Sequence, residues 1–274
     1  MIALICGLFG LIIGSFLNVV VLRRGAGVLT GRSVCMSCGR ELGISDLVPV
    51  LSWVLLRGRC RQCGSGISIQ YPLVELATAL TFGIFGGAYF GHSLMLASTP
   101  PQGLVSFIII ALLIAIAAYD ILHTIIPDAW VYTFAFLALA ITLLAARGTG
   151  AGLLLPLLAG PVAAAPFFLL WLVSGGRWMG LGDAKLGLGV GWLLGFPTGV
   201  VAALCAFVLG SVVMVPLLVL GRLTHNSSFP LARLGLTMKS EVPFGPFIIA
   251  STFIFWFASL YGFDLVSLYL TLWQ

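Results

Sequence analysis

The sequence predicts an all-helical, polytopic integral membrane protein with a zinc-binding loop. Of its 274 residues, 61% are hydrophobic and only 8% are charged, and the mean hydropathy is +1.18. Long apolar segments recur along the chain, and the one extended polar stretch holds four cysteines in two CxxC pairs. Soluble domains carry roughly a quarter of their residues as charged groups. This composition therefore excludes a soluble globular domain.

Eight apolar segments are predicted to cross the membrane, since a spanning helix needs about 20 apolar residues. They are 2–22, 72–95, 103–119, 129–146, 151–174, 185–197, 199–221 and 246–270. The sixth is short and rich in glycine, so its ends are the least well defined. The first lacks a preceding basic region and runs into Arg23 and Arg24. We therefore expect a retained helix with its N-terminus outside, and no cleaved signal peptide.

The distribution of basic residues predicts the orientation, because Lys and Arg collect in short cytoplasmic loops. With the N-terminus outside, loops 23–71, 120–128, 175–184 and 222–245 all face the cytoplasm. With Lys185 assigned to the membrane edge of the third loop, 12 of the 13 basic residues lie inside and Arg147 lies outside. The net charge of +5 thus reports topology, and no nucleic-acid partner is predicted.

The loop 23–71 contains the pairs Cys35/Cys38 and Cys60/Cys63, separated by 21 residues. Two such knuckles can complete a tetrahedral site, and four sulfur ligands with no open position indicate structural zinc. Two disulfides or a redox pair are the alternatives, and a cytoplasmic location disfavours stable disulfides. Cys6 and Cys205, each alone in an apolar segment, are predicted to be packed small hydrophobes.

Between the knuckles, residues 47–58 form an apolar segment that ends in basic residues. It is too short to span the bilayer, so we expect it to lie on the membrane surface or to pack on the helices. Two hypotheses remain open for it: it binds a substrate tail, or it only joins the loop to the helices.

Asp120 and Asp183 lie at the ends of apolar segments, on the same predicted side of the membrane. A carboxylate beside a spanning helix is a functional candidate because its burial in lipid is costly. Two adjacent carboxyl groups cannot both ionise easily, so their pKa values split into a base and an acid, as peptide hydrolysis requires. The alternatives are helix caps at the interface and proton or ion transport, although transporter sites lie near the bilayer midplane.

The surroundings of the two aspartates support a site. Gly180 and Gly182 precede Asp183 and let backbone and substrate approach closely. Lys185 either positions substrate or anchors its helix at the headgroups. Asp128 follows Pro127, where a helix start and its dipole explain it structurally, so Asp120 is the stronger catalytic candidate.

Six ordered motifs extend over nearly the whole chain. They are Gly14 to Val20 with Arg23, Asp46 to Trp53 through Arg57 to Cys60, Tyr71 to Glu75, Asp120 to Asp128, Gly180 to Lys185 and Val242 to Phe247. Together they resemble the bacterial type IV prepilin peptidases, the bifunctional leader peptidases and N-methyltransferases of pili and type II secretion. The resemblance implies an aspartic protease of the GxGD type in the inner membrane, with Asp120 and Asp183 as the dyad.

The resemblance further implies that the enzyme cuts the short basic leader of prepilins or pseudopilins at the cytoplasmic face. It would then methylate the new N-terminal residue, usually Phe, with S-adenosylmethionine. The domain division that follows is a first helix at 1–22, a methyltransferase-associated zinc loop at 23–71, a second helix with its outer loop at 72–102, and a peptidase region at 103–274.

The site of the methyl donor is not evident from the residues, since no glycine-rich strand-to-helix motif is present. Asn18 and Glu75, polar groups within apolar spans, are weak candidates for it, and interhelical hydrogen bonding explains them equally well. The alternative function is a zinc-stabilised membrane transporter or scaffold that uses the aspartates for proton transfer.

Overall fold

The computed structural model describes residues 1–23, 31–92, 100–149, 152–223 and 243–267. Within these ranges the chain is helical, with no β-strand and only two isolated bridges. The α-helices are α1 Ile2–Arg23, α2 Leu51–Leu55, α3 Gln70–His92, α4 Pro100–His123, α5 Asp128–Thr149, α6 Leu154–Ser174, α7 Leu181–Leu194, α8 Thr198–Leu223 and α9 Gly245–Leu260. The predicted all-helical fold is confirmed. Most of the predicted loop 222–245 lies outside the described residues.

Six of the described helices are long and apolar enough to cross a membrane: Ile2–Arg23, Gln70–Gly91, Gln102–His123, Asp128–Ala146, Leu154–Ser174 and Thr198–Leu217. They match six of the eight predicted spans. The other two predicted spans correspond to shorter helices, α7 with 14 residues and α9 with 16 residues. Glycines with positive φ follow both of these helices, Gly195 after α7 and Gly262 after α9, which ends them early.

Two predicted boundaries are wrong, and both bear on the aspartates. The sequence places Asp120 and Asp183 in loops, whereas Asp120 lies in the last turn of α4 and Asp183 in the first turn of α7. The apolar residues that follow Asp120 allow α4 to continue until Thr124, which has a φ of +52°. The loop between α4 and α5 is correspondingly short.

The chain divides into two compact units. The first comprises Met1–Tyr119 and Phe257–Phe263, and the second comprises Asp120–Trp256 and the residues from Asp264 onward. In the first unit α1 packs closely on α3 through small residues. A Cβ added at Gly14 would lie 2.7 Å from Cα of Glu75. Such contacts let two spanning helices approach closely, which is the usual way they associate in a bilayer.

In the second unit α7 packs against α5, α6 and α8. A Cβ added at Gly187 would lie 2.6 Å from the ring of Phe167 on α6, and the side chain of Phe167 is fully buried. The short glycine-rich helix can therefore be enclosed by its neighbours. Its N-terminus, which carries Asp183, is held in place by this packing.

Candidate active site and metal centre

Asp120 is a buried carboxylate at the C-terminal end of α4, with only 4% of its surface exposed. Its backbone carbonyl accepts the N–H of Thr124 at 2.7 Å, and Thr124 then turns the chain out of the helix. This hydrogen bond and the turn at Thr124 hold the backbone of Asp120 in the last turn of α4. Asp120 is one half of the candidate site.

The first residue of α9 supplies the polar partner of Asp120. The backbone N–H of Gly245 donates to Oδ2 of Asp120 at 3.0 Å, and both groups are buried. The N–H groups of a first helical turn have no partner within their own helix, so they are available for this contact. Phe244 sits just before the helix and stacks among aromatic rings, with its centroid 5.1 Å from that of Phe207 on α8.

Asp183 is buried in the first turn of α7, with 8% of its surface exposed. Its carboxyl group receives a backbone hydrogen bond from Gly180, which has extended backbone geometry as the residue before the helix. Asp183 is the third residue of α7. Its side chain thus bonds back to the residue that precedes the helix, as in a capping box. This contact aims the carboxyl group toward the start of α7.

Ile126 lies between the beginnings of α7 and α9. A Cβ at Gly182 would be 2.9 Å from Cβ of Ile126, and a Cβ at Gly245 would be 3.4 Å from its Cδ1 and 2.7 Å from Oδ2 of Asp120. The structure therefore brings the GxGD segment, the end of α4 and the start of α9 together. Glycine at positions 182 and 245 is what leaves room for them.

The electrostatics of the site distinguish its two carboxyl groups. Asp183 lies outside the six candidate spans, and burial, followed by the charge of the neighbouring Asp120, raises the pKa of Asp183 to about 7. Asp120 instead faces the N–H of Gly245 at the positive end of α9. A pair of this kind can hold one proton near neutral pH, which provides an acid and a base side by side.

Lys185 and Asp128 contact each other. Lys185 Nζ lies 2.6 Å from Oδ1 of Asp128 and 5.1 Å from the centre of the Tyr132 ring. Asp128 is the first residue of α5, as predicted. This ion pair links the beginning of α7 to the beginning of α5.

The four knuckle cysteines form one cluster in the first unit. Their sulfur atoms all lie within 4.8 Å of one another, and none of the four forms a disulfide. The two knuckles fold alike: Gly39 N–H donates to the Cys35 carbonyl at 2.9 Å, and Gly64 N–H donates to the Cys60 carbonyl at 3.0 Å. Both glycines have positive φ, +71° and +69°, which a non-glycine residue rarely adopts.

The cluster fits a tetrahedral metal ion. Four sulfurs at zinc–sulfur distances of about 2.3 Å are separated from each other by about 3.8 Å, and Cys35 Sγ and Cys63 Sγ are 3.8 Å apart. The arrangement suits a closed four-thiolate site better than two disulfides, in which bonded sulfurs are about 2.05 Å apart. The four cysteines are therefore a candidate metal site.

Asn18 and Glu75, the weak candidates for the methyl-donor site, both bond to neighbouring protein groups. Asn18 Nδ2 donates to the Tyr71 carbonyl at 3.0 Å. Oε2 of Glu75 accepts the N–H of Val50 at 2.7 Å, and Ser15 also hydrogen-bonds this carboxyl group. These contacts join α1, α3 and the loop, and they favour the interhelical hydrogen-bonding alternative for both residues.

Three residues of these sites lie within the six motifs but are not predicted as site residues: Gly245, Ile126 and Val50. The pair Gly245-Pro246 carries a usable signal of a helix start, because proline is common in the first turn of a helix. The backbone N–H groups of a first turn have no partner within the helix, so that of Gly245 is available to another group. Val50 carries none. Its φ of +59° is unusual for a β-branched residue, and its N–H donates to Glu75.

Comparisons with known proteins identify the family of both parts of the chain. The family described as "Bacterial Peptidase A24 N-terminal domain" matches residues 8–88, and the "Type IV leader peptidase family" matches residues 107–215. The first match includes the cysteine cluster, Asn18 and Glu75, and the second includes Asp120, Asp183 and Lys185. No solved structure matches the chain significantly.

Curated relatives match along nearly the whole chain. A protein of Bacillus subtilis named prepilin leader peptidase/N-methyltransferase is 32% identical over 270 residues, which cover 96% of both chains. A protein of the same name from Aeromonas hydrophila is 30% identical over 308 residues, which cover 96% of this chain and 92% of that protein. The chain therefore belongs to the type IV leader peptidase family.

Proposed function

We propose that this protein is a membrane aspartic endopeptidase that removes the leader of type IV prepilins or pseudopilins and then N-methylates the new N-terminus. The observation that carries the peptidase part is the pair of buried carboxyl groups, Asp120 and Asp183, which α4 and α7 bring together. The names of the relatives support both the prepilin substrate and the second activity.

In the proposed reaction Asp120 is the base and Asp183 is the acid. The N–H of Gly245 stabilises a charged Asp120, while Asp183, with its pKa raised to about 7, holds the proton. Asp120 takes a proton from water as the water oxygen attacks the scissile carbonyl carbon. Asp183 gives its proton to the carbonyl oxygen, which forms a neutral tetrahedral diol.

The diol then collapses with the same two groups in reversed roles. Asp183 takes back a hydroxyl proton while Asp120, now protonated, gives its proton to the leaving nitrogen. The C–N bond breaks, which releases the leader as a carboxylic acid and the mature pilin with a free amine; the acid then passes its proton to the amine or to solvent. The dyad returns to its starting protonation and needs no metal for this cycle.

The cysteine cluster is proposed to hold a structural zinc ion through Cys35, Cys38, Cys60 and Cys63. Bound zinc would keep the two halves of the loop joined. A site closed by four thiolates leaves no position for water or substrate. We accordingly propose that residues 23–71 form the methyltransferase-associated part and residues 103–274 the peptidase part.

S-adenosylmethionine is the proposed methyl donor, on the strength of the relatives' names. Because Asn18 and Glu75 already bond to Tyr71, Val50 and Ser15, we propose that they anchor the loop. The enzyme is proposed to lie in the bacterial inner membrane with its dyad facing the cytoplasm, as the positive-inside rule indicates.

The test is cleavage of a purified prepilin in detergent by wild type, Asp120→Asn and Asp183→Asn. Leader loss and methyl transfer to pre-cleaved pilin are followed in the same samples. We expect both variants to lose cleavage and to keep methyl transfer, which also shows that they fold. If either variant cleaves at the wild-type rate, the dyad assignment is wrong and the transporter alternative returns.

A further inference from the structure

The short helix α2 and the residues before it present an unpartnered apolar face. Leu51 and Leu55 are 54% and 72% exposed, and Leu47, Val48 and Val54 are also exposed. We call these five residues the α2 face. Exposed aliphatic side chains are normal on the spanning helices, which contact lipid, but here they lie in the loop between two spans, where a contiguous apolar patch indicates a binding surface.

The opposite side of α2 is fixed to the rest of the first unit. Trp53 Nε1 donates to the Ile67 carbonyl at 3.2 Å, and its ring packs so closely on Gly58 that an added Cβ would be 2.9 Å from Cζ2. The N–H of Val50 donates to Glu75 in α3. The direction in which the α2 face points is therefore set by protein contacts.

These contacts also fix the depth of α2 relative to the bilayer. Glu75 lies near the start of the candidate span Gln70–Gly91, and Asn18 near the end of α1 bonds to Tyr71 at the same end of α3. Two consecutive spans leave and re-enter the membrane on one side, so this end of the pair is the membrane surface. Because Val50 bonds directly to Glu75, α2 is held at that level.

Charge favours one occupant for the α2 face. In the described part of the loop, Arg32 pairs with Glu41 at 2.7 Å and Arg61 pairs with Asp46 at 2.9 Å. Three exposed arginines, Arg40, Arg57 and Arg59, form no ion pair with any residue that the structure describes. Apolar side chains next to excess arginine are typical of segments that insert at the surface of an anionic bilayer.

We propose that the α2 face inserts into the membrane interface and that the neighbouring arginines bind anionic lipid headgroups. A prepilin is the competing occupant. Its basic leader would be repelled by the same arginines, an argument that rests on the proposed substrate. Insertion gives the zinc loop a second attachment to the bilayer besides the two helices that flank it.

The test uses the full-length protein in nanodiscs whose phospholipids carry brominated acyl chains. A fluorescent amino acid, acridonylalanine, replaces either Leu55 or, as the matched control, Met36, which is 87% exposed in the first knuckle. We expect bromine to quench the probe at position 55 severalfold more than the probe at position 36. Zinc content and prepilin cleavage, measured on the same discs, show that both probe variants are folded.

The lipid part is tested by comparing discs of phosphatidylcholine alone with discs that also contain phosphatidylglycerol. Quenching at position 55 should rise with the anionic lipid, and Arg57→Gln with Arg59→Gln should abolish that rise. Equal quenching at positions 55 and 36, or no response to the anionic lipid, overturns the proposal. Loss of quenching when prepilin is added would assign the α2 face to the substrate instead. Quenching needs no catalysis. A failure of the membrane-insertion proposal can therefore be distinguished from a failure of the proposed aspartic dyad.

Discussion

The backbone N–H of Gly245 donates to Oδ2 of Asp120 at 3.0 Å, which joins the first residue of α9 to the last turn of α4. A Cβ at position 245 would come within 2.7 Å of the same oxygen. Glycine is therefore required at this position because the backbone must approach the carboxylate. The relationship makes Gly245 a positioning residue for the proposed base.

Replacing Gly245 with alanine should displace the Asp120 carboxylate and lower kcat for leader cleavage by roughly 100-fold, the scale of a 1 Å misplacement. KM should change little, because substrate contacts are not removed. Gly91→Ala is the control, since an added Cβ there meets nothing within 4 Å. Equal kcat values for the two variants would remove Gly245 from the site.

Cleavage should fall as the pH rises through about 7. Burial and the Asp120 charge raise the pKa of Asp183 to about 7, and the proposed acid must be protonated. Above this value Asp183 is ionised and the donor is lost; well below it, protonation of the base should lower the rate again. A pH profile of kcat with a purified prepilin measures both limbs. A rate that stays constant from pH 6 to 9 would contradict the assignment of Asp183 as acid.

The same raised pKa predicts a change in stability. Between the ordinary pKa of an aspartate and about 7, folded Asp183 keeps a proton that the unfolded chain releases. The free energy of unfolding should therefore decrease as the pH rises through this window. Asp183→Asn should flatten the decrease, and thermal unfolding in detergent at several pH values measures it. An unchanged slope in the variant would show that other groups cause the dependence.

Cys60→Ser should remove bound zinc and reduce protein yield or methyl transfer more than it reduces cleavage. Three remaining thiolates bind the ion less tightly, and the loop then loses its crosslink. Metal analysis of the purified protein and parallel cleavage and methylation assays measure the three effects. Cys205→Ser is the control, because Cys205 is outside the cluster. Normal yield, zinc content and methylation in Cys60→Ser would contradict the structural role.

Asp128→Asn should leave most of the cleavage activity, in contrast to the loss expected for Asp120→Asn. Asp128 bonds to Lys185 at 2.6 Å, but its side chain is largely exposed, and such pairs contribute about 0.2–1 kcal/mol. A kcat within roughly fivefold of wild type corresponds to that scale. A loss as large as that of Asp120→Asn would instead place Asp128 in the reaction.

Glu75→Ala should loosen the segment around α2, because Val50, whose φ of +59° is unfavourable for a β-branched residue, loses the acceptor of its N–H. Limited proteolysis should then cut within residues 47–56 faster than in wild type. Glu75→Gln keeps an acceptor oxygen and should restore much of the protection. Identical cleavage patterns for all three proteins would show that Glu75 does not hold the segment.

The helical membrane fold, the cysteine cluster and the start of α5 at Asp128 follow from local patterns, which is why the sequence predicts them. Apolar length identifies a span, and two CxxC pairs at this spacing identify four ligands. The boundaries around Asp120 and Asp183 are less well predicted, since they depend on a positive φ at Thr124 and on the packing of α7. Gly245 and Val50 act through contacts to residues distant in sequence. The pair Gly245-Pro246 marks a helix start, but no local pattern identifies Asp120 or Glu75 as the contact partner.

The matching hydrogen bonds of the two knuckles have a consequence for how the loop assembles. Each half is turned by its own backbone, Gly39 to Cys35 and Gly64 to Cys60, so each presents two sulfurs already arranged as a bidentate chelate. The proposed ion would then have to join two preorganised halves across one intervening segment. Lengthening that segment should therefore weaken the free energy of metal binding only logarithmically, by about 0.6 kcal/mol per doubling. A substitution that breaks the hydrogen bond of either turn should weaken metal binding far more.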